Sequence, residues 1–348
     1  MSENISDEQP GQSGQPDPAS LQGEAPFSNL GPDLILSAVE AFDRVPDGRF
    51  IALNSYENRV YQIGIEDETP VIAKFYRPAR WSDAQILEEH AFAIELGEQE
   101  IPVAVPMPAP EGSTLVHQGG YRVALFPRLA GDWPDLDRPG RLTWLGRFLG
   151  RIHAVGQSRA FVHRPSIDVT EMGRNAAQFL LTGDLLPVEQ RAGYQQVTEE
   201  LLSVIDERIQ SLDARRIRLH GDCHPSNVLW SDNGPSFVDL DDCRSGPAVQ
   251  DLWMLVSGEA WEQQSQLEEL LEGYRVFADF DRRELELIEP LRSLRMVYYA
   301  GWLARRWNDP AFPLAFPWFG SHGYWRDHVD DLRNQLNLLA APASADQY

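Results

Sequence analysis

The sequence predicts an α+β fold of two lobes, a β-rich first lobe with one main helix and a larger helical second lobe. Two observations support this prediction. Before about residue 127, apolar and polar residues alternate in several short segments with the period of β-strands. Beyond that point they recur with the three-to-four-residue spacing of amphipathic helices. The length of 348 residues suits two domains or one large domain of two lobes.

The first lobe is predicted to contain two helices and four strands. Ser82 is a plausible N-cap for the longer helix, because its hydroxyl can accept a hydrogen bond from a backbone N–H of the first turn. Pro127 is expected to end the last strand. In chain order, the predicted elements are a short helix at 32–39, strands at 49–53, 59–65 and 71–76, the longer helix at 82–98 and a strand at 123–127.

The second lobe is predicted to be helical around a short irregular segment. Apolar stripes indicate helices near residues 142–152, 201–209, 267–277 and 291–307. The last of these is apolar over much of its circumference, so we predict a central buried helix. We place the lobes at 28–126 and 127–340, with tails at 1–27 and 341–348.

Composition excludes several classes of protein. The tail 1–27 is rich in Ser, Gln, Pro, Gly and acidic residues, and we predict that it is disordered. The net charge of −23 leaves no basic excess for binding nucleic acid or anionic membranes. Two cysteines are too few for a disulfide framework, and neither a signal peptide nor a long apolar span is visible. These features predict a cytoplasmic protein, and we expect a monomer.

A loop and the strand after it carry the residues of greatest chemical interest. Asp222 and Asn227 fit the kinase spacing H-x-D-x-x-x-x-N that begins at His220, and Asp239 follows the apolar pair Phe237-Val238. Phosphoryl transfer from ATP requires such a set: a carboxylate that takes the acceptor's proton, and an Asn and an Asp that hold magnesium. The alternative is a turn without chemistry, since Asp, Asn, Gly and Pro favour turns.

A lysine on a predicted strand is a candidate for binding phosphate. Lys74 ends the run Val71-Ile72-Ala73-Lys74, which is similar to the V-A-I-K strand of kinases. A cation there needs a carboxylate partner, and we favour Glu89 over Glu88 in the following helix. The alternative interpretation makes the lysine an edge charge and both glutamates surface residues.

The turn between the first two strands lacks the glycine-rich pattern that often covers phosphates. It reads Leu53-Asn54-Ser55-Tyr56-Glu57-Asn58-Arg59, and Ser55 and Asn58 can donate side-chain hydrogen bonds to phosphate oxygens. The alternative is an ordinary hairpin turn.

These motifs together resemble the aminoglycoside phosphotransferase and choline kinase superfamily, which has a protein-kinase-like fold. Within it, the chain is similar to bacterial serine/threonine protein kinases of stress responses. The resemblance covers about residues 30–325. The matching segments are Leu53–Tyr61, Lys74–Pro78, Ile86–His90, Leu219–His224, Phe237–Asp242, Gly246–Trp253 and Asp309–Pro313.

The resemblance implies a role for each matching residue. Asp222 is the implied catalytic base, and Asn227 and Asp239 are the implied ligands of Mg²⁺, with Asp239 also essential to catalysis. Ser55 is expected against the ATP phosphates, and Lys74 is expected to pair with Glu89. The resemblance also implies that the segment Phe126-Pro127-Arg128 forms the adenine-binding hinge and that Asp251 braces the catalytic loop.

The predicted activity is transfer of the ATP γ-phosphoryl group to Ser or Thr hydroxyls of proteins, with autophosphorylation. The alternative is a small-molecule kinase that acts on an amino alcohol, a sugar or an aminoglycoside, for which an acidic acceptor pocket would suit a cationic alcohol. A nucleotide-binding module without catalysis is a third hypothesis, which the intact Asp222, Asn227 and Asp239 argue against. The sequence has no A-P-E segment and no long activation loop between Asp242 and Asp251.

Other residues near these motifs allow two interpretations each. Cys223 and Cys243 could be redox-sensitive or could be small buried fillers. His224 is predicted to be a hydrogen-bonding residue rather than a metal ligand, and His153 a packed or capping residue. The aromatic cluster near the C-terminus is predicted to be core in the main, with a possible substrate-facing part; its members are Phe312, Phe316, Trp318, Phe319, Tyr324 and Trp325.

Overall fold

The computed structural model describes residues 25–340 as two lobes, a β-rich first lobe and a larger helical second lobe. This confirms the predicted α+β fold. Positions 1–24 and 341–348, which belong to the two predicted tails, lie outside the described residues. Phe27 is buried and stacks on Tyr121 with ring centroids 5.7 Å apart, so packed chain begins before the predicted boundary at residue 28.

The first lobe is built on a five-stranded antiparallel sheet in the order β1-β2-β3-β5-β4. Two helices accompany it. Its elements are α1 (Pro32–Glu40), β1 (Pro46–Leu53), β2 (Arg59–Ile65), β3 (Val71–Phe75), α2 (Asp83–Glu98), β4 (Val116–Gln118) and β5 (Tyr121–Pro127).

The two helices of this lobe contribute to separate apolar clusters. Ile35 and Val39 of α1 pack with Ile63 and Phe75 of the sheet, because alternate strand residues point to one face. Ile86 of α2 belongs to a smaller cluster. The predicted N-cap is present: Ser82 accepts a hydrogen bond from the Gln85 N–H, and the Gln85 side chain accepts one from the Ser82 N–H.

The second lobe packs helices around one large apolar cluster that includes α8. The predicted helices near 142–152, 201–209, 267–277 and 291–307 correspond to α3, α5, α7 and α8. The elements are α3 (Arg141–Gly156), α4 (Asn175–Thr182), α5 (Val188–Leu212), β6 (Ile217–Leu219), β7 (Val228–Ser231), β8 (Gly234–Phe237), β9 (Arg244–Gly246), α6 (Gln250–Trp253), α7 (Ala260–Tyr274), α8 (Ile288–Arg305), α9 (Ala311–Ala315) and α10 (His322–Ala340).

Glycines allow α3 and α7 to pack backbone against backbone. A Cβ atom at Gly273 of α7 would lie 1.9 Å from the carbonyl oxygen of Thr143 in α3. A Cβ atom at Gly146 of α3 would lie 2.0 Å from the carbonyl oxygen of Leu270. Real Cβ atoms do not approach so closely, so this helix pair requires glycine at both positions.

No helix is predicted from the sequence where the structure has α10, at His322–Ala340. Trp325, Val329 and Leu332 are buried on one face of it at helical spacing, so the periodic signal was present. Within the described part of the chain, no helix combines the length and the apolar composition needed to cross a bilayer.

Candidate active site

A cleft of about 350 Å³ lies between the two lobes. The first lobe contributes residues of β1, β2 and β3, and the second contributes the catalytic-loop region and the β7–β8 hairpin. Phe126 and Pro127 of the predicted hinge line it, beside the exposed Trp133. Of the predicted site residues, the structure brings these to the cleft wall: Ser55, Lys74, Glu89, Asn227 and Asp239.

A buried carboxylate holds the backbone of the loop that begins at His220. Asp251 at the start of α6 accepts hydrogen bonds from the backbone N–H groups of His220 and Gly221, each at 2.8 Å. The His153 Nε2 lies 3.0 Å from the same carboxylate, so His153 is a packed histidine, as predicted. Gly221 has φ +86°, and a Cβ atom there would lie 2.2 Å from the Asp242 carbonyl oxygen. Only glycine fits that position.

Asp222 projects from this loop between the side chains of an arginine and a histidine. Its Oδ1 lies 2.7 Å from Arg295 Nη1, and its Oδ2 lies 3.4 Å from His224 Nε2. Burial raises the pKa of Asp222, but the hydrogen bond from His224 and the charge of Arg295 outweigh burial and lower it. The carboxylate is therefore ionised and able to accept a proton from a bound hydroxyl.

Asn227 and Asp239 offer oxygen atoms of the kind that Mg²⁺ prefers. The Asn227 amide nitrogen donates to the Asp222 backbone carbonyl at 3.0 Å, which leaves the amide oxygen for another partner. Asp239 has the left-handed φ of +60° and a half-exposed side chain. The described residues contain no group of three or more His, Cys, Asp or Glu side chains arranged for a metal. A magnesium ion held by one Asp, one Asn, phosphates and water needs no such group.

Lys74 is buried and lies among three carboxylates. Its Nζ is 3.0 Å from Asp239 Oδ1, 3.2 Å from Asp241 Oδ1 and 3.6 Å from Glu89 Oε1. Burial by itself would lower the pKa of Lys74, but the three carboxylates outweigh it and raise the pKa well above the usual value. The ammonium group therefore stays charged beside the cleft.

The structure distinguishes the two candidate glutamates of α2. Glu89 is buried and faces Lys74, whereas Glu88 points to the second lobe. The Glu88 carboxylate accepts hydrogen bonds from the backbone N–H groups of Val162, His163 and Arg164 at 2.6–2.7 Å. Burial raises the pKa of Glu89 to about 7, and Lys74 opposes that shift.

Asn58 does not occupy the position predicted for it. It is buried, it is not among the residues that line the cleft, and both ends of its amide are bonded within the protein. The Asn58 Nδ2 donates to Asp241 at 3.1 Å, and its Oδ1 accepts from the Arg77 N–H at 3.0 Å. The prediction that Asn58 donates to phosphate does not fit this geometry. Ser55, three residues earlier, does line the cleft.

Sequence reasoning missed an arginine that connects the lobes behind Lys74. Arg80 of the first lobe bonds the Asp241 carboxylate and both oxygens of Asp242, the latter at 2.9 Å. Burial raises the pKa of Asp242, but Arg80 and Arg244 outweigh it and hold the carboxyl well below its usual range. The only signal was the run Asp239-Leu240-Asp241-Asp242, which needs more than one cation if all its carboxylates are to stay charged.

The other ambiguous residues are mostly packed. Cys223 and Cys243 are buried free thiols, and burial raises the pKa of Cys243 to about 12, which favours the filler interpretation. In the aromatic cluster Phe312, Phe319 and Trp325 are fully buried, as expected for core. Trp318 is exposed, and this exposure is all that supports the interpretation that part of the cluster faces the substrate.

The family comparison matches this arrangement. Residues 49–288 match the family model described as the phosphotransferase enzyme family. That segment contains both lobes' contributions to the cleft, from β1 to the start of α8.

Curated relatives extend over almost all of the chain. A protein named serine/threonine protein kinase RdoA from Salmonella typhimurium is 45% identical over 91% of this chain and 95% of its own length. Stress response kinase A from Escherichia coli is 44% identical over the same shares. These relatives confirm the resemblance to bacterial stress-response kinases.

Solved structures share the fold at low identity. Amicoumacin kinase hAmiN, in complex with AMP-PNP, Ca²⁺ and Ami, has a TM-score of 0.70 at 19% identity and covers 88% of this chain and 93% of its own. A microcompartment-associated aminopropanol kinase has a TM-score of 0.66 at 17% identity over 87% of this chain and 95% of its own.

Proposed function

This chain belongs to the phosphotransferase enzyme family and is an ATP-dependent kinase, and we propose that it phosphorylates serine and threonine hydroxyls of proteins in a bacterial stress response. Autophosphorylation is part of the proposal. The relatives at 44–45% identity carry the names of such kinases. The solved structures named for small-molecule kinases are below 20% identity and support the fold alone.

The observation that carries the choice of acceptor is the arginine beside Asp222. The small-molecule alternative suits a cationic alcohol and an acidic acceptor pocket. Instead, Arg295 lies 2.7 Å from the proposed base. Arg292 lies about one turn before Arg295 on α8. A positively charged amino alcohol or aminoglycoside would meet like charge there, which disfavours its binding. A Ser or Thr side chain carries no charge and meets no such repulsion.

The cleft residues then have separate tasks. The apolar part of the wall would take the adenine beside the hinge at Phe126 and Pro127. Lys74 would bind phosphate oxygens, with Glu89 as the carboxylate that holds its position. Ser55 would approach the phosphates from the turn after β1.

The metal would involve the opposite wall of the cleft, and the proton would involve Asp222, which is not among the residues that line the cleft. Asn227 and Asp239 would hold Mg²⁺, which would neutralise charge on the phosphates. Asp222 would orient the acceptor hydroxyl and accept its proton as the oxygen attacks the γ-phosphorus. Asp251 keeps Asp222 in place through the loop backbone and touches no substrate.

The test is transfer of label from γ-labelled ATP with magnesium to the protein itself, a basic protein and an acidic protein. Asp222→Asn should lower the transfer by several orders of magnitude and leave thermal unfolding unchanged, because it removes the proton acceptor and preserves the side chain's shape. The matched control is Asp232→Asn, an exposed residue in the β7–β8 turn, which should behave as the parent.

Each outcome decides between the hypotheses. Protein label that disappears in Asp222→Asn supports the proposal. Label that reaches only amino alcohols, sugars or aminoglycosides would establish the small-molecule kinase instead. Full activity in Asp222→Asn would refute the assigned base.

A further inference from the structure

A shallow groove of about 540 Å³ lies next to Asp222 on the second lobe. It runs between the catalytic loop, the segment around α6 and the first turns of α7 and α8. Resting on the proposed function, we infer that this groove binds a negatively charged side chain of the protein acceptor, a carboxylate or a phosphate close to the target hydroxyl. The lining residues with charged, polar or aromatic side chains that bear on this inference are His224, Trp253, Gln263, Arg292 and Arg295.

The charged side chains that line the groove are basic, although the molecule as a whole is acidic. The chain has a net charge of −23, yet the groove lining contains two arginines, a histidine and, among the described residues, no carboxylate. Two neighbouring acids, Glu259 and Glu262, are bonded to backbone N–H groups in the capping box that begins α7. Asp222 and Glu289 contact the two arginines and offset their charge in part, so an anionic partner is attracted by the guanidinium N–H donors that these contacts leave free.

Arg295 provides the donors next to the reacting hydroxyl. Its side chain is 37% exposed, and the hydrogen bond that it makes to a described residue uses Nη1 and Asp222 Oδ1. A guanidinium has five N–H donors arranged for planar anions, so most of them remain for a ligand. A carboxylate or phosphate can therefore bind Arg295 directly beside the base.

Arg292 is fixed where it can bind the same anion. It lies three residues before Arg295, so both side chains share one face of α8. Its guanidinium lies 5.5 Å from the centre of the Trp253 ring, and its Nη2 donates to Gln263 at 2.8 Å. Its Nε lies 3.6 Å from Glu289 Oε1, which is too far for a hydrogen bond. The pair would hold one anion between two arginines.

An anion bound in the groove would also weaken the contact between Arg295 and the Asp222 carboxylate. In the structure the guanidinium of Arg295 lies against Asp222, where it competes with an approaching hydroxyl for the carboxylate. An anionic side chain in the groove gives the guanidinium a second partner and weakens its hold on Asp222. An acceptor with the right charge thereby favours its own phosphorylation, whereas a cationic one does not.

The experiment compares short peptides that contain one Ser or Thr and differ only in the flanking side chain: Asp, phosphoserine, Ala or Lys. We expect the parent to prefer Asp or phosphoserine over Ala and Lys by roughly tenfold to a hundredfold in kcat/KM, the range of a charge-assisted contact. Arg295→Gln should lose most of this preference and Arg295→Lys should recover part of it. Arg326→Gln, an exposed arginine on α10, is the matched control and should retain it.

Direct binding gives a readout that does not depend on turnover. Calorimetric titration of the Asp peptide into the parent and into Arg295→Gln should show weaker binding by about tenfold in the variant. The inference would be overturned if the parent phosphorylated all four peptides with equal kcat/KM. It would also be overturned if Arg295→Gln kept the preference and bound the Asp peptide as the parent does. Either result would leave the proposed function standing. Label on amino alcohols but on no peptide would overturn both. A preference for phosphoserine over Asp would identify a phosphorylated acceptor.

Discussion

At the scale of single residues, two adjacent glutamates of α2 have different tasks. Glu89 faces Lys74 in the cleft, and Glu88 accepts three backbone hydrogen bonds from the second lobe. Successive residues of a helix point about 100° apart, so neighbours in sequence reach different surroundings. Glu89 is therefore the partner of the cleft lysine, and Glu88 joins the helix to the second lobe.

Matched substitutions test this separation. Glu89→Gln should lower kcat/KM for ATP about tenfold, because Lys74 loses a charged partner, with little effect on unfolding. Glu88→Gln should lower the free energy of unfolding by about 1–2 kcal/mol with kcat/KM for ATP retained, because an amide accepts the three N–H bonds less strongly. Steady-state kinetics and urea unfolding measure the two effects. The same result for both variants would contradict the assignment.

At the scale of elements, the packing of α3 on α7 depends on the absence of side chains. Gly146, Gly150 and Gly273 bring the two helices together so closely that a Cβ atom at any of them would meet backbone carbonyl oxygen. This contact positions the helix that carries His153, which in turn contacts Asp251 beneath the catalytic loop. Helix packing far from the cleft thus supports the position of Asp222.

Gly273→Ala should therefore destabilise the protein by about 1–3 kcal/mol through overpacking against Thr143 and Arg147. Urea unfolding measures the change. In the control Gly323→Ala the nearest atom to the new Cβ is the Ser321 hydroxyl oxygen at 3.9 Å, so no loss of stability is expected. Alanine suits a helix better than glycine, and a small gain in stability would agree with that. Equal effects at the two positions would show that close packing is not the cause.

At the scale of the whole molecule, buried ion pairs join the lobes beside the cleft. Asp309, between α8 and α9, accepts hydrogen bonds from Arg77 at 2.7 Å and Arg59 at 3.2 Å, both in the first lobe. Glu57 of the first lobe is in turn within 2.6 Å of Arg306 and of the Trp302 indole N–H. These contacts hold one lobe against the other, and the cleft lies between the two lobes.

Asp309→Ala should cost about 3 kcal/mol of stability, because it leaves buried guanidinium groups without their carboxylate. It should also raise the KM for ATP, since the walls of the cleft belong to different lobes. Thermal unfolding and kinetics measure both effects. Asp330→Ala removes an exposed ion pair with Arg333 and should cost less than about 0.5 kcal/mol. A stable Asp309→Ala variant with normal ATP affinity would show that the network does not hold the lobes.

Local patterns in the sequence predicted many of the elements and drew attention to the loop from His220 to Asn227. Strand alternation, the Ser82 cap and the apolar stripe of α8 depend on residues close together in the chain, so local patterns reveal them. The spacing from His220 to Asn227 is likewise local, and it drew attention to the loop that Asp251 holds in the structure. The same patterns identified Lys74 on its strand.

Which partners these residues contact depends on how distant parts of the chain pack together. Asn58 bonds Asp241 across 183 residues of sequence, and no local pattern distinguishes that use of its amide from a contact to phosphate. Arg295 stands in a largely apolar helix, and nothing in its neighbourhood of sequence indicates that Asp222 lies beside it. Local hydrogen bonding and side-chain periodicity determine the elements, whereas charge pairing in the cleft depends on how separate elements pack.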